Sequence, residues 1–124
     1  MDEYKLGEME TRFADIIWEN APINSGELVR LAGDILNWKK STTYTMLRRL
    51  VDRGIFKNDN ALVSVVKTRD EFLSGQSCRY IDDTFGGSLP RFITSFVSGR
   101  KLSDKQLEEI KCLIDAYREG NAND

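Results

Sequence analysis

Residues 39–54, KKSTTYTMLRRLVDRG, are the stretch on which the fold turns. Ser41 is placed to cap a helix, its hydroxyl accepting from a free amide in the first turn. Gly54 stands where a left-handed C-terminal stop is expected. At about 100° per residue, the positions between them separate into two faces. Thr43, Met46, Leu47 and Leu50 share one side. Ser41, Tyr44, Thr45 and Arg48 share the other, with Asp52 near its far end, and Thr42, Arg49 and Arg53 lie along a boundary. One face can seat in a core while the other presents hydroxyls, an aromatic ring and a guanidinium. Arginine bonds guanine edges or phosphate, and Ser, Thr and Tyr hydroxyls bond either, so this face suits a DNA groove. An ordinary solvated face is the plainer reading of the same residues.

Working outward, charge supports the first reading. The whole chain is acidic, with net charge −2 and pI 5.3, which alone argues against nucleic acid. Its distribution argues the other way. Residues 1–38 hold eight acids against three bases, a net of −5, whereas residues 39–57 hold six bases against Asp52 alone, a net of +5. The positive charge is focused on the candidate reading element.

Upstream, Leu6, Met9, Phe13, Ile16 and Ile17 follow the helical period and predict a first helix over residues 6–20. Asn20 and Pro22 end it, because the residue before proline is pushed away from helix. Trp18 is expected at the edge of the core. A second helix is predicted over 25–33, capped by Asn24 or Ser25, with Leu28, Val29, Leu31 and Ala32 as its buried side. Residues 34–40 form the turn, with Ile35, Leu36 and Trp38 fixing it, although Trp38 could instead stack on a sugar. Helix, turn, helix is the order of a helix-turn-helix.

Downstream, Val63, Val65 and Val66 favour strand, and the Asn- and Asp-rich residues 57–61 favour a tight turn. A two-stranded hairpin is predicted over 55–67, its tip at 58–61 with no base beyond Lys57. The fold class is therefore mainly α with a small β-hairpin: a winged helix-turn-helix over residues 1–70, then a helical dimerisation arm over 71–124. In the arm, Thr68 with Glu71 and Ser103 with Gln106 match the capping box. One helix should run to about Phe85, weakened at Gly75, where a bend or a close helix approach would fit. The next should start at Ser88 and break at Gly99, and residues 121–124 are expected to fray. Phe92, Phe96, Leu107, Ile110, Ile114 and Tyr117 form apolar stripes at near-heptad spacing. Short amphipathic helices of this size do not easily bury their own faces, so a second copy of the arm is the expected cover. Folding back on the first domain is the alternative.

Several function classes are excluded or disfavoured. The chain contains no histidine, which removes His-based triads and His metal ligands. Cys78 and Cys112 make no metal-spaced pair and are expected to be free thiols, packed or partly packed. No cofactor and no metal are expected. Asp82-Asp83 and Glu108-Glu109 are adjacent pairs, which point apart on a helix and do not face each other. No apolar run approaches the ~20 residues of a membrane span, and the acidic start lacks a signal-peptide pattern, so a cytoplasmic protein is expected.

The chain resembles the BlaI/MecI/CopY family of penicillinase and methicillin-resistance repressors over nearly its full length. Ile16-Ile17-Trp18 looks like the family's opening helix. Trp38, Thr42, Thr45, Arg49, Leu50 and Gly54 resemble its recognition-helix signature, and GGSLPRFITSFVSGRKLSDKQLEEI over residues 86–110 resembles its dimerisation arm. The resemblance implies a repressor that binds a palindromic operator in double-stranded DNA as a homodimer. Ser41, Thr42, Tyr44, Thr45 and Arg48 are the candidates for groove contact, and Lys39, Lys40 and Arg49 for phosphate. In the antibiotic-resistance members a membrane sensor-protease pathway cleaves the arm at Asn-Phe, which implies an inducing protease or sensor as a partner. Here Ser95-Phe96 stands at that place, a departure from the cleaved pair. The copper-responsive members carry a cysteine-rich site near the C-terminus, where this chain has Cys112 alone. The rival reading is a winged-helix interaction module, an adaptor or antirepressor without DNA binding.

Overall fold

The computed structural model describes residues 4–122. The order is α1 (Glu8–Asn20), β1 (Ile23–Asn24), α2 (Ser25–Leu36), α3 (Lys40–Asp52), β2 (Phe56–Asp59), β3 (Leu62–Val65), α4 (Arg69–Phe85), α5 (Leu89–Gly99) and α6 (Asp104–Ala122). The fold is mainly helical, a winged helix with a helical C-terminal arm. The chain divides into two compact units, one ending at Tyr80 and the other starting at Ile81.

In the first unit α1, α2, α3 and the sheet close on one core. Phe13, Ile17, Leu28, Leu50, Ile55, Phe56 and Val63 are fully enclosed. Trp18 packs at the edge of this core, its ring 5.4 Å from Phe56 and 5.8 Å from Phe72, and its Nε1 donates to the Lys67 carbonyl at 2.9 Å. Trp38 takes the core option, 4.9 Å from the Phe13 ring.

Three local expectations are corrected here. Helix α1 starts at Glu8, so Leu6 precedes it and Met9 is exposed. Helix α2 runs one turn past Gly33 and stops at Asn37, whose φ of 58° is the left-handed region that asparagine tolerates. This extra turn leaves Ile35 exposed and only Leu36 and Trp38 against the core. Ser41 is not the cap of α3: Lys39 holds the extended cap position with no side-chain hydrogen bond, and Ser41 lies inside the first turn. Of the two caps the sequence offers for α2, Asn24 is the one used, accepting from the Gly26 amide.

The sheet has three strands in the order β1-β3-β2, both pairings antiparallel. The hairpin was legible, but β1 was not: two residues pair Ile23 with Val63 and Asn24 with Leu62. The hairpin turns at Asn60 and Ala61, with φ of 50° and 66°. Two central residues at positive φ make the type I′ turn that matches strand twist. The Ala61 carbonyl also accepts from the Ser25 amide at 2.7 Å, tying the wing tip to the start of α2.

The Thr68–Glu71 capping box forms with both bonds, at 3.3 and 3.1 Å. Gly86 and Gly87, at φ of 58° and 79°, end α4. In the second unit the Ser103–Gln106 box closes at 3.0 and 3.1 Å, and Ser88 caps α5 through the Arg91 amide. Helix α6 continues to Ala122, so the expected frayed tail is helical over its first two residues. Asn123 and Asp124 lie outside the described residues. Phe92 rests on Phe85 at 5.6 Å and on Phe96 at 6.2 Å, yet no residue of α5 is buried.

Candidate nucleic-acid interface

Helix α3 is held from both ends and one side. Its C-terminus closes with the paired bonds of a glycine stop: the Gly54 amide donates to Val51 and the Ile55 amide to Leu50, at 2.9 and 3.2 Å. Gly54 has the positive φ, 77°, that this geometry requires. Thr43, Leu47 and Leu50 are buried beneath it, and the Thr43 hydroxyl returns to the Lys39 carbonyl at 3.1 Å. The apolar face assigned from the helical period is thus the seated face.

The opposite face is open. Ser41, Thr42, Tyr44, Thr45, Arg48 and Arg49 are exposed, as are Lys39 and Lys40 at the entry. Two of the hydroxyls are engaged inside the molecule. Tyr44 Oη lies 3.4 Å from Ser25 Oγ at the start of α2, and Thr45 Oγ1 donates to the Ser41 carbonyl at 2.9 Å. Both oxygens can still accept, and the Tyr44 ring edge remains outward at 37% exposure.

Electrostatics sorts the six bases of residues 39–57. Lys39, Lys40 and Arg48 have no ion-pair or hydrogen-bond partner among the described residues. Arg49 touches only the Met46 sulfur, at 3.7 Å. Arg53 is turned inward and pairs with Glu10 at 3.4 Å, and Lys57 sits 3.8 Å from Asp59 on the wing. Four free cations therefore lie on or beside the exposed face of α3. No acid occupies its first turn, so the positive end of the helix dipole faces outward beside Lys39 and Lys40. On α2 the balance is different. Arg30 pairs with Glu27 and with Asp34, and its hydrogen bond holds the Glu27 carboxyl below its usual range while raising the guanidinium.

The other candidates are spread over the second unit. Leu107, Ile114 and Tyr117 are 50%, 53% and 70% exposed, and Phe96 and Ile110 are partly so. Between α5 and α6 lies a groove of about 340 Å³ lined by Phe92, Ile93, Phe96, Val97, Leu102, Ile110 and Leu113, with Gln106 and Glu109 at its margin. Ile93 keeps the helical spacing of Phe92, Phe96 and Val97 that the sequence shows, whereas Leu113 belongs to the groove and was not singled out from sequence. The Ser95–Phe96 bond lies inside α5, whereas proteolysis concentrates at exposed loop tips. Cys78 and Cys112 are free but exposed, not packed. Asp82, Asp83, Glu108 and Glu109 are exposed. Among the described residues no cluster of three or more His, Cys, Asp or Glu could hold a metal ion, and no helix is long and apolar enough to cross a membrane.

The comparison with known proteins agrees with this architecture. The family described as penicillinase repressor matches residues 6–116. A penicillinase repressor of Bacillus licheniformis is 20% identical over 118 residues, covering 92% of this chain and 92% of that protein. With most of its length matched, from the start of the winged helix into α6, the chain belongs to the penicillinase repressor family.

Proposed function

We propose that this protein is a transcriptional repressor that binds a palindromic operator as a homodimer. The observation that carries the reading is the exposed face of α3. Within an acidic chain, four cations with no acidic partner among the described residues, Lys39, Lys40, Arg48 and Arg49, gather there next to Ser41, Thr42, Tyr44 and Thr45. Residues 1–70 act as the DNA-binding domain and residues 71–124 as the dimerisation arm. Ser41, Thr42, Tyr44, Thr45 and Arg48 face base edges; Lys39, Lys40 and Arg49 take phosphate. The short wing, with Lys57 beside Asp59, contributes little. Phe92, Phe96, Leu107, Ile110, Ile114 and Tyr117 meet their copies in the second arm, a reading supported by the absence of any buried residue in α5.

A two-fold dimer places its reading helices about one duplex turn apart, or a multiple of it, so the operator repeats at that spacing. Repression then needs no catalysis, because occupancy excludes polymerase. Release by a protease or sensor protein would require α5 to unwind around Ser95–Phe96. Replacing Arg48 by Ala should cost about 1–3 kcal/mol on the operator if the guanidinium reads a base; equal loss on every sequence would make it a phosphate contact.

The test is fluorescence anisotropy with DNA from upstream of the protein's own gene, at low and physiological salt, beside scrambled DNA and a random-library selection. Tight binding to a selected or native palindrome supports the proposal. Binding no tighter than to scrambled DNA, with no sequence enriched, overturns it in favour of a protein-binding adaptor.

A further inference from the structure

Residues 4–6 run across the first unit as a strap. The Tyr4 ring lies against Phe72, with centroids 5.8 Å apart, and the Lys67 ammonium stands 4.6 Å from its centre. The Tyr4 carbonyl accepts from Gln76 Nε2 at 3.1 Å. The next carbonyl, that of Lys5, accepts from the Arg53 guanidinium. Arg53 is the residue that closes α3, and Gln76 belongs to α4. Two consecutive residues, Tyr4 and Lys5, thus join the end of the reading helix to the helix that leads into the arm.

Gly75 is the receptor for this strap. The Tyr4 ring crosses α4 where a side chain would stand, and a Cβ on Gly75 would overlap ring atoms Cδ1, Cε1 and Cζ. Glycine weakens a helix interior, so its presence in the second turn of α4 needs a cause, and the aromatic ring supplies one. The close approach expected at this position is made by the N-terminal strap.

We propose that the strap is a positioning device that fixes α4 against α3 and thereby sets the half-site spacing the repressor accepts. The proposal rests on the dimeric, operator-binding reading. Helix α4 is the covalent link from the DNA-binding unit to the arm, so its direction relative to α3 decides where the second reading helix falls. A rigid link admits one spacing; a loosened link admits several with less affinity for the best.

Two measurements on the full chain test it. The first is a thermal-denaturation cycle of Tyr4→Ala, Gly75→Ala and the double variant. Gly75→Ala should lower Tm in the otherwise unchanged chain and raise it in the Tyr4→Ala background, where helix propensity acts unopposed. A rise in both backgrounds would overturn the strap. The second is binding to operators whose half-sites are stepped by single base pairs around the preferred separation. The wild type should favour one spacing, and both single variants should flatten that preference. Variants that keep the wild-type preference would overturn the positioning role. A wild type that binds no palindrome at any spacing would defeat the operator reading and the spacing role with it, while the thermal cycle still decides the strap.

Discussion

Replacing Lys39 and Lys40 together by Ala should remove most of the salt dependence of DNA binding. The magnitude follows from which cations are free. Arg53 is spent on Glu10 and the Lys5 carbonyl, and Lys57 faces Asp59. If Arg48 reads a base, three phosphate ligands remain per subunit, Lys39, Lys40 and Arg49, hence about six per dimer. Each contributes about 0.9 to the slope of log K against log salt, so the wild-type slope should be about −5, a loss of about a thousand-fold between roughly 50 and 200 mM salt. The double variant keeps about two contacts, giving a slope near −2 and a loss of about ten-fold over the same range.

The substitution is mild for the fold. Both lysines are exposed, and Lys39 makes no side-chain cap bond that Ala would delete. Anisotropy titrations at five or six salt concentrations measure the slope, with Lys57→Ala as the control that should leave it nearly unchanged. A double variant with the wild-type slope, or a Lys57→Ala slope that falls as far, would refute the assignment of phosphate contacts to the entry of α3.

Three further outcomes are expected. Ala61→Gly should stabilise the protein by roughly 0.5–1 kcal/mol, because Ala61 holds φ of 66° in the wing turn and glycine holds it without strain; a lower Tm by calorimetry would refute this. Arg53→Ala should cost about 2 kcal/mol in urea denaturation, below the usual figure for breaking a buried pair because the Arg53 and Glu10 side chains stay 14% and 18% exposed. Adding Glu10→Gln should recover part of that loss, and a strictly additive double variant would deny the pairing. Ile110→Glu should convert the proposed dimer to monomer in sedimentation velocity while leaving the fluorescence of Trp18 and Trp38, both in the first unit, unchanged. A persistent dimer would overturn the arm reading.

What could be read from sequence was what is decided locally. Both capping boxes and the Gly54 stop formed as expected, since each is closed by residues within a few positions of one another. The buried face of α3 was also legible, because the helical period alone separates Thr43, Leu47 and Leu50 from their neighbours. The misses are non-local. Strand β1 has two residues and no propensity signal; it exists because β3 offers it a free edge. Helix α2 passes Gly33 because this glycine does not take a positive φ, and the chain turns instead at Asn37, where a left-handed φ is tolerated. The charge sum counts Arg53 in the basic segment 39–57, and only the fold shows Glu10 drawing it inward. Gly75 was visible as a weak point in α4, but its partner Tyr4 lies seventy-one positions away and leaves no periodic trace.

If the protein binds DNA as proposed, exposure on the second unit bears on how so few cations could suffice. Helices α5 and α6 are 11 and 19 residues long. Fixing each residue costs about 1–2 kcal/mol of backbone entropy, and neither the α5–α6 groove nor the stripe beyond it is covered by the described residues of the second unit. A second copy would supply the missing apolar contact, so ordering of the arm and dimerisation become one event whose extent follows protein concentration. That event joins two weak readers. A single α3 with four cations and a sparse wing has the equipment for modest affinity; two of them on one rigid frame turn the second binding into an intramolecular step, gaining avidity without new contacts provided the half-sites match the frame. In this reading the arm's unpaired apolar surface and the economy of the DNA face are two sides of the same arrangement. A monomeric variant such as Ile110→Glu should therefore lose operator binding even though every side chain of α3 is intact.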